Sequence, residues 1–265
     1  MIAALEAAAP QIDAFISAAE PGFTEGGRLV YVGAGTSGRL GVLDASEAPP
    51  TFQVEPGRIV GIIAGGDGAL RKSSEGKEDD PRGAWEELRA LELNEKDTVI
   101  GIAAGGTTPY VQGVFEFLST LKHRPTSALL TCSPVPKPPG ADRLIVLETG
   151  PEVLTGSTRM KAGTATKMAL NTISTVLMIR SGRVYENLMV DMRATNEKLR
   201  DRGARIISTL TALARAEALE LLGRAGNSVK AAVVMHHKQV DLGAAERMLG
   251  EHHGRLEKVL GDRYI

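Results

Sequence analysis

The stretch VGAGTSGRLGVLDASEAPPTF, residues 32–52, decides the fold and raises the functional question. Its glycines, Gly33, Gly35 and Gly38, have the G-x-G-x-x-G spacing of a turn that links a strand to a helix and brings backbone N–H groups to a phosphate. Thr36 and Ser37 add hydroxyl donors to the same turn. The stretch predicts a strand, an anion-binding turn and a helix. A glycine-rich turn that binds nothing has the same spacing and is the simpler alternative.

A dinucleotide site with this spacing also needs an acidic residue about 20 residues further on, at the end of the second strand, to bind a ribose. Here the nearby acid, Glu55, precedes the second apolar run, and that run ends in Gly65 and Gly66. The pattern therefore favours a phosphate monoester. A dinucleotide enzyme that binds NAD or NADP stays a lower-ranked alternative.

Five short apolar runs alternate with helical patterns and predict the strands of one sheet. Each run is almost continuously apolar, which is typical of strands buried on both faces of a parallel sheet. We predict an α/β fold, a doubly wound parallel five-stranded sheet, with strands at residues 28–35, 58–66, 97–106, 127–133 and 143–150. Asp80 with Pro81, and Thr108 with Pro109, are expected to start two of the helices.

The pattern changes after residue 150. Residues 157–182 predict one long helix, and from about residue 196 the chain is expected to be entirely helical. We therefore predict two domains, residues 1–199 with the sheet and residues 200–265 as a small helical C-terminal domain.

Composition narrows the class of protein. The chain has 265 residues, 43% of them hydrophobic, and a net charge of -1, which gives no reason to expect nucleic acid or an anionic membrane as a partner. A single cysteine, Cys132, forms no internal disulfide and fits a reducing compartment. The first residues lack the basic start of a signal peptide, and no uncharged apolar run approaches the roughly 18 residues of a spanning helix. We predict a cytoplasmic protein.

Two further loops repeat the pattern of the first one. Thr107 and Thr108 follow the third predicted strand, and the sequence STR, residues 157–159, follows the fifth. In a parallel sheet, the loops after the strands lie at the carboxyl edge, where open α/β proteins bind their ligands. Several hydroxyl-rich helix starts at one edge favour an anionic ligand over helix capping alone.

Five stretches together carry a family resemblance: GAGTSGRLGVLDASEAPPTF, IAGGDGALRKSSEGKEDD, GIAAGGTTPYV, TGSTRMKAGTATK and NLMVDMRATNEKLRDR. They resemble the N-acetylmuramic acid 6-phosphate etherases, a family with the sugar isomerase (SIS) fold, from about residue 12 to the end of the chain. The chain is more distantly similar to the glucokinase regulatory protein, which binds sugar phosphates on this fold without turning them over.

The resemblance implies the reaction and the catalytic residues. The family cleaves the lactyl ether of N-acetylmuramate 6-phosphate to N-acetylglucosamine 6-phosphate and D-lactate, in the recycling of cell-wall sugars, without a metal or other cofactor. The family's acid falls in its DASE-x-PP motif, at Glu47, and its second catalytic glutamate, the base, falls in EG-x-ED, at Glu78. The resemblance also implies a homodimer. From the sequence, the APP that follows Glu47 is expected to end its helix.

The predicted binding residues for the sugar and its phosphate lie in the three loops. They are Gly35, Thr36, Ser37, Gly105, Gly106, Thr107, Thr108, Ser157, Thr158 and Arg159. Two of them depart from the family pattern, since Gly105 stands where a serine is expected and Thr107 where an arginine is expected. The alternative function is therefore a non-catalytic sensor or regulator that binds sugar phosphates.

Overall fold

The computed structural model of the chain describes residues 1–74, 76–192, 194 and 196–261. Its five strands are β1 (Leu29–Gly33), β2 (Ile59–Ile63), β3 (Thr98–Ile102), β4 (Thr126–Thr131) and β5 (Arg143–Val146). All neighbouring strands are parallel, in the order β2-β1-β3-β4-β5. The predicted α/β fold with a parallel five-stranded sheet is confirmed.

Helices connect and follow the strands. They are α1 (Ile2–Thr24), α2 (Gly35–Phe52), α3 (Gly68–Arg71), α4 (Trp85–Ala90), α5 (Pro109–Ser119), α6 (Lys161–Arg180), α7 (Glu197–Thr211), α8 (Arg215–Arg224), α9 (Val229–Lys238), α10 (Leu242–Glu251) and α11 (Leu256–Leu260).

The strand order places a crevice between two loops. From β1 the chain continues to β2, toward one edge of the sheet, and from β3 it continues to β4, toward the other edge. Gly33 at the end of β1 pairs with Ile102 at the end of β3. In open α/β sheets, the ligand crevice lies outside the carboxyl ends of the two strands where the order reverses. The loops after β1 and β3 therefore leave the sheet side by side at this position.

Helix α1 is long and apolar enough to cross a membrane, by length and composition alone. Its apolar side chains, among them Phe15, Ile16 and Phe23, are buried, and it packs against β3, β4 and β5. This helix therefore contributes to the core beneath the sheet.

Three predicted helix ends were wrong. The helix predicted to start at Asp80 begins at Trp85; Asp80 accepts a hydrogen bond from the Arg82 N–H, but residues 81–84 form a turn. Helix α2 does not end at the APP but continues to Phe52. Each proline lacks an N–H and so removes one backbone hydrogen bond, but the helix continues through both prolines. The long helix begins at Lys161 rather than near residue 157. The predicted start at Thr108 and Pro109 is confirmed.

The described chain forms two compact units. The first consists of Met1–Pro49 with Glu55–Leu177, and the second of Pro50–Val54 with the described residues from Met178 onward. In the second unit, Val190 and Met192 belong to a core to which helices α7 to α11 all contribute. Asn196 caps α7 by accepting a hydrogen bond from the Leu199 N–H at 2.9 Å. The predicted domain division after residue 199 stays a prediction.

Candidate active site

The loop after β1 packs tightly on one side and is open on the other. A Cβ on Gly38 would lie 2.6 Å from the Gly33 carbonyl oxygen and from a side-chain carbon of Ile63. Glycine is thus needed there for the close approach of β1 and α2. Gly35 has a positive φ of 53°, and nothing lies within 4 Å of the position of its Cβ. Part of the glycine spacing is explained by packing, while the Gly35 side of the turn is open to a ligand.

Thr36 and Ser37 lie in the first turn of α2, and both are half-buried. Neither hydroxyl makes a hydrogen bond within the part of the chain that the structure describes. Free N–H groups and the positive end of the helix dipole favour an anion at such a helix start. These two side chains can therefore donate to a phosphate.

The loop after β3 is shaped by Gly106. This residue has a φ of 77°, and a Cβ on it would lie 2.6 Å from Val135. The side-chain amide of Gln112 donates to the Gly106 carbonyl at 2.6 Å and fixes the loop. Gly105 and Thr107 are exposed, and Thr108 precedes α5 without a capping hydrogen bond from its side chain.

Helix α6 brings the third predicted loop to the first. A Cβ on Gly163 would lie 3.4 Å from the Thr36 methyl carbon and 3.5 Å from the Thr158 carbonyl oxygen. The start of α6 therefore lies beside the start of α2, although β5 is three places from β1 in the sheet. Ser157 is half-buried, and Thr158 and Arg159 are exposed in the turn before the helix.

Glu152 occupies the start of α6, a contact that the sequence analysis missed. Its two carboxylate oxygens accept hydrogen bonds from the N–H groups of Lys161 and Ala162, both at 2.9 Å. These bonds, that of Ala162 first, and the nearby Lys161 charge lower the pKa of Glu152. Because a carboxylate of the chain already holds these two donors, anion binding at the start of α6 depends on the side chains before it.

Glu78 lies beside the first loop. A cleft of about 50 Å³ beside this loop is lined by Ala34, Gly35, Arg39, Ala64, Ser73, Ser74 and Glu78. The Glu78 carbonyl accepts a hydrogen bond from the Tyr110 N–H at 3.0 Å, so α5 fixes the backbone of this residue. The side chain itself is exposed. The structure thus brings one predicted catalytic glutamate to the predicted phosphate loop.

Glu47 is also exposed, but it lies further along α2. Ten residues separate it from Ser37, which corresponds to about 15 Å along a helix axis. Glu47 is absent from the described residues that line the Glu78 cleft. Within one chain, the two glutamates therefore lie at different distances from the phosphate loop.

A buried carboxylate, Asp44, joins α2 to its neighbours and was not recognised in the sequence. It accepts hydrogen bonds from the Tyr31 hydroxyl at 2.8 Å, the Asn171 amide at 2.6 Å and the Ser174 hydroxyl at 3.2 Å. Burial first, and then the Asp44 charge, raise the pKa of Tyr31 well above its usual range. The network fixes α2 against β1 and α6. Asp44 is three residues before Glu47, so the helix face that carries Glu47 is set by these contacts.

The chain is similar to known proteins over most of its length. A family model described as the glucokinase regulatory protein N-terminal SIS domain matches residues 10–119. An N-acetylmuramic acid 6-phosphate etherase of Crocosphaera subtropica is 52% identical over 89% of this chain and 77% of its own length. The corresponding proteins of Bacillus licheniformis and Cronobacter sakazakii are 46% and 48% identical, over 97% and 95% of this chain and 84% of each relative.

Among solved structures, the sugar isomerase domain of an RpiR transcription factor from Sphaerobacter thermophilus is 17% identical, with a TM-score of 0.39 over 68% of this chain and 88% of that one. The curated relatives are far more similar in sequence and cover 89–97% of this chain. The chain belongs to the N-acetylmuramic acid 6-phosphate etherase family.

Proposed function

We propose that the chain cleaves the lactyl ether of N-acetylmuramate 6-phosphate to N-acetylglucosamine 6-phosphate and D-lactate. A base removes the C2 proton of the open-chain aldehyde, the bond between C3 and the lactyl oxygen breaks, and an acid protonates that oxygen. Water then adds to the C2–C3 double bond. Family membership and the position of Glu78 in the cleft beside Gly35 support this proposal most directly.

We assign the base to Glu78 and the acid to Glu47. The two steps need carboxyl groups in opposite protonation states, one to accept and one to donate a proton. The cleft gives Glu78 access to a sugar whose phosphate lies on the first loop. Backbone N–H groups and the hydroxyls of Thr36, Ser37, Thr107 and Thr108 bind that phosphate in the proposal, with Ser157, Thr158 and Arg159 contributing from the turn before α6.

The reach of the substrate supports a homodimer with a shared site. Five covalent bonds join C3 of the sugar to the phosphorus, which is at most about 7.5 Å at about 1.5 Å per bond. Glu47 lies about 15 Å along α2 from Ser37. The substrate alone thus spans about half of the distance between Ser37 and Glu47 along α2, which favours a Glu47 from a second chain. We propose that Glu47 acts on the substrate bound to a second copy.

The proposed reaction is tested with the purified chain beside Glu47→Gln and Glu78→Gln, with Asp79→Asn as the control. D-lactate release and incorporation of solvent deuterium at C2 are measured separately. Glu47→Gln should stop lactate release and leave some C2 exchange, because the base remains. Glu78→Gln should lose both. Lactate release at a near-normal rate by Glu47→Gln would remove it from the role of acid, and exchange that survives in Glu78→Gln would remove that residue as base.

A non-catalytic sensor of sugar phosphates is the second candidate. The observation that favours it is the loop after β3, where Gly105 and Thr107 replace a hydroxyl and a cation of the family pattern. A sensor would bind N-acetylmuramate 6-phosphate without releasing lactate. For either function we propose a cytoplasmic protein that acts on a small sugar phosphate, with no nucleic acid, membrane, metal or cofactor involved.

A further inference from the structure

Arg39 is a cation at the proposed site that the three-loop pattern did not include. It lies in the second turn of α2 and is the basic residue among the described residues that line the Glu78 cleft. Its side chain is half-buried and bends toward the loop after β2, where one guanidinium nitrogen donates to the Lys72 carbonyl at 3.4 Å. Arg39 and Glu78 thus line the same cleft.

Among the residues that the structure describes, Arg39 uses little of its hydrogen-bonding capacity. A guanidinium has five N–H donors in a planar fork that matches a carboxylate. Within the described residues, Arg39 donates to the Lys72 carbonyl and forms no ion pair, not even with Glu78 in the same cleft. The cleft between them, about 50 Å³, has room for a small polar group or a few waters, but not for a sugar ring.

The substrate of the proposed reaction carries two anions at different ends. The phosphate is on C6, and the carboxylate belongs to the lactyl group on the C3 oxygen. If Glu78 removes the C2 proton, its cleft faces C2 and the neighbouring C3. Gly35 lines the same cleft, so a cation here lies between the phosphate loop and Glu78 and can reach the lactyl end of a substrate whose C2 faces Glu78.

We propose that Arg39 binds the carboxylate of the lactyl group and so selects the 3-O-lactyl sugar over the same sugar phosphate without it. This assignment rests on the proposed etherase function and names the part of the substrate that the cleft recognises. A charge-assisted, bidentate contact is strong and directional. It fixes the lactyl oxygen relative to C3 while the ether bond breaks. It also lets the product N-acetylglucosamine 6-phosphate, which has no carboxylate, bind more weakly than the substrate and leave.

The test compares two ligands that differ only in the lactyl group. Binding of N-acetylmuramate 6-phosphate and N-acetylglucosamine 6-phosphate is measured by calorimetry in the full chain. The background is Glu47→Gln, which is expected to prevent lactate release. Arg39→Gln should weaken binding of the muramate about 10- to 100-fold, the usual loss for a hydrogen bond between charged groups, and change binding of the other sugar less than about 2-fold. Arg39→Lys should weaken binding of the muramate by an intermediate factor, because lysine keeps the positive charge but lacks the planar pair of donors.

Arg71→Gln is the matched control, because Arg71 is an exposed arginine in α3 that does not line the cleft. It should leave binding of both ligands unchanged. Equal weakening of both ligands by Arg39→Gln would place Arg39 at the phosphate and overturn the assignment, as would no weakening of either. If the parent chain releases no lactate but Arg39→Gln still loses binding of the muramate alone, the etherase function is rejected and the role of Arg39 is kept.

Discussion

Position 105 has room for the hydroxyl that the family pattern expects. Gly105 is exposed, its φ is outside the left-handed region, and nothing lies within 4 Å of its Cβ position. We expect Gly105→Ser to strengthen binding of N-acetylglucosamine 6-phosphate about 10-fold, because a serine adds one donor to a charged phosphate. Titration calorimetry of the parent and the variant measures the difference.

Gly106→Ser is the contrasting variant. Here φ is 77° and the Cβ would lie 2.6 Å from Val135, so the loop must distort. This variant should bind the sugar phosphate more weakly than the parent. If Gly105→Ser has no effect on affinity, the loop after β3 does not contact the phosphate in the proposed way.

At the scale of elements, an ion pair joins the starts of β1 and β3. Asp97 is 1% exposed and accepts hydrogen bonds from the backbone N–H and the guanidinium of Arg28, at 2.7–3.0 Å. Burial alone would raise the pKa of Asp97, but the Arg28 hydrogen bonds outweigh it and hold the pKa below its usual value. Asp97→Asn should lower the free energy of unfolding by about 3 kcal/mol at neutral pH, since it leaves Arg28 without its counter-charge.

The pH dependence of this effect follows from the lowered pKa. A carboxylate with a lower pKa in the folded state stabilises the fold above its unfolded pKa of about 3.9, and the contribution is lost as the pH falls. Urea unfolding at pH 7 and pH 3.5 should show a difference between parent and Asp97→Asn that shrinks in acid. If the difference between parent and variant is independent of pH, the charge of Asp97 does not contribute to the stability of the fold.

Helix α6 is held by a carboxylate nine residues before its first residue. Glu152 accepts the N–H groups of Ala162 and Lys161, and its lowered pKa means that the ionised form stabilises the fold. Glu152→Gln should therefore lower the Tm at pH 7, and the gap to the parent should close as the pH falls below about 4.5. Glu148→Gln, at an exposed position in the same connection, should leave the Tm unchanged. Equal Tm values for the Glu152→Gln and Glu148→Gln variants would show that Glu152 does not stabilise the start of α6.

At the scale of the whole molecule, the shared site predicts complementation. Glu47→Gln and Glu78→Gln should each be inactive alone. When the two are unfolded and refolded together, about half of the dimers should be mixed, and each mixed dimer should contain one intact site. Lactate release should then return to about a quarter of the parental rate per chain. No recovery from a confirmed mixed dimer would show that both glutamates act within one chain.

Local sequence determined much of the fold. Continuous apolar runs identified all five strands, because strands buried on both faces of a parallel sheet need apolar side chains throughout. Thr108 and Pro109 marked the start of α5, since proline fits the first turn of a helix without losing a hydrogen bond. The glycines of residues 33–38 predicted the turn into α2 for a similarly local reason.

Only the tertiary structure decided where the other helices begin and what lies together at the site. Helix α6 starts at Lys161 because Glu152 supplies its cap, and the Glu78 backbone is fixed by the Tyr110 N–H, 32 residues away in the chain. The sequence alone named Glu47 and Glu78 through the family motifs, and their catalytic roles stay predictions. It did not show that α2 separates Glu47 from the phosphate loop or that Arg39 faces the Glu78 cleft. Propensity and periodicity act over a few neighbouring residues, whereas these positions depend on contacts between segments that are distant in the chain.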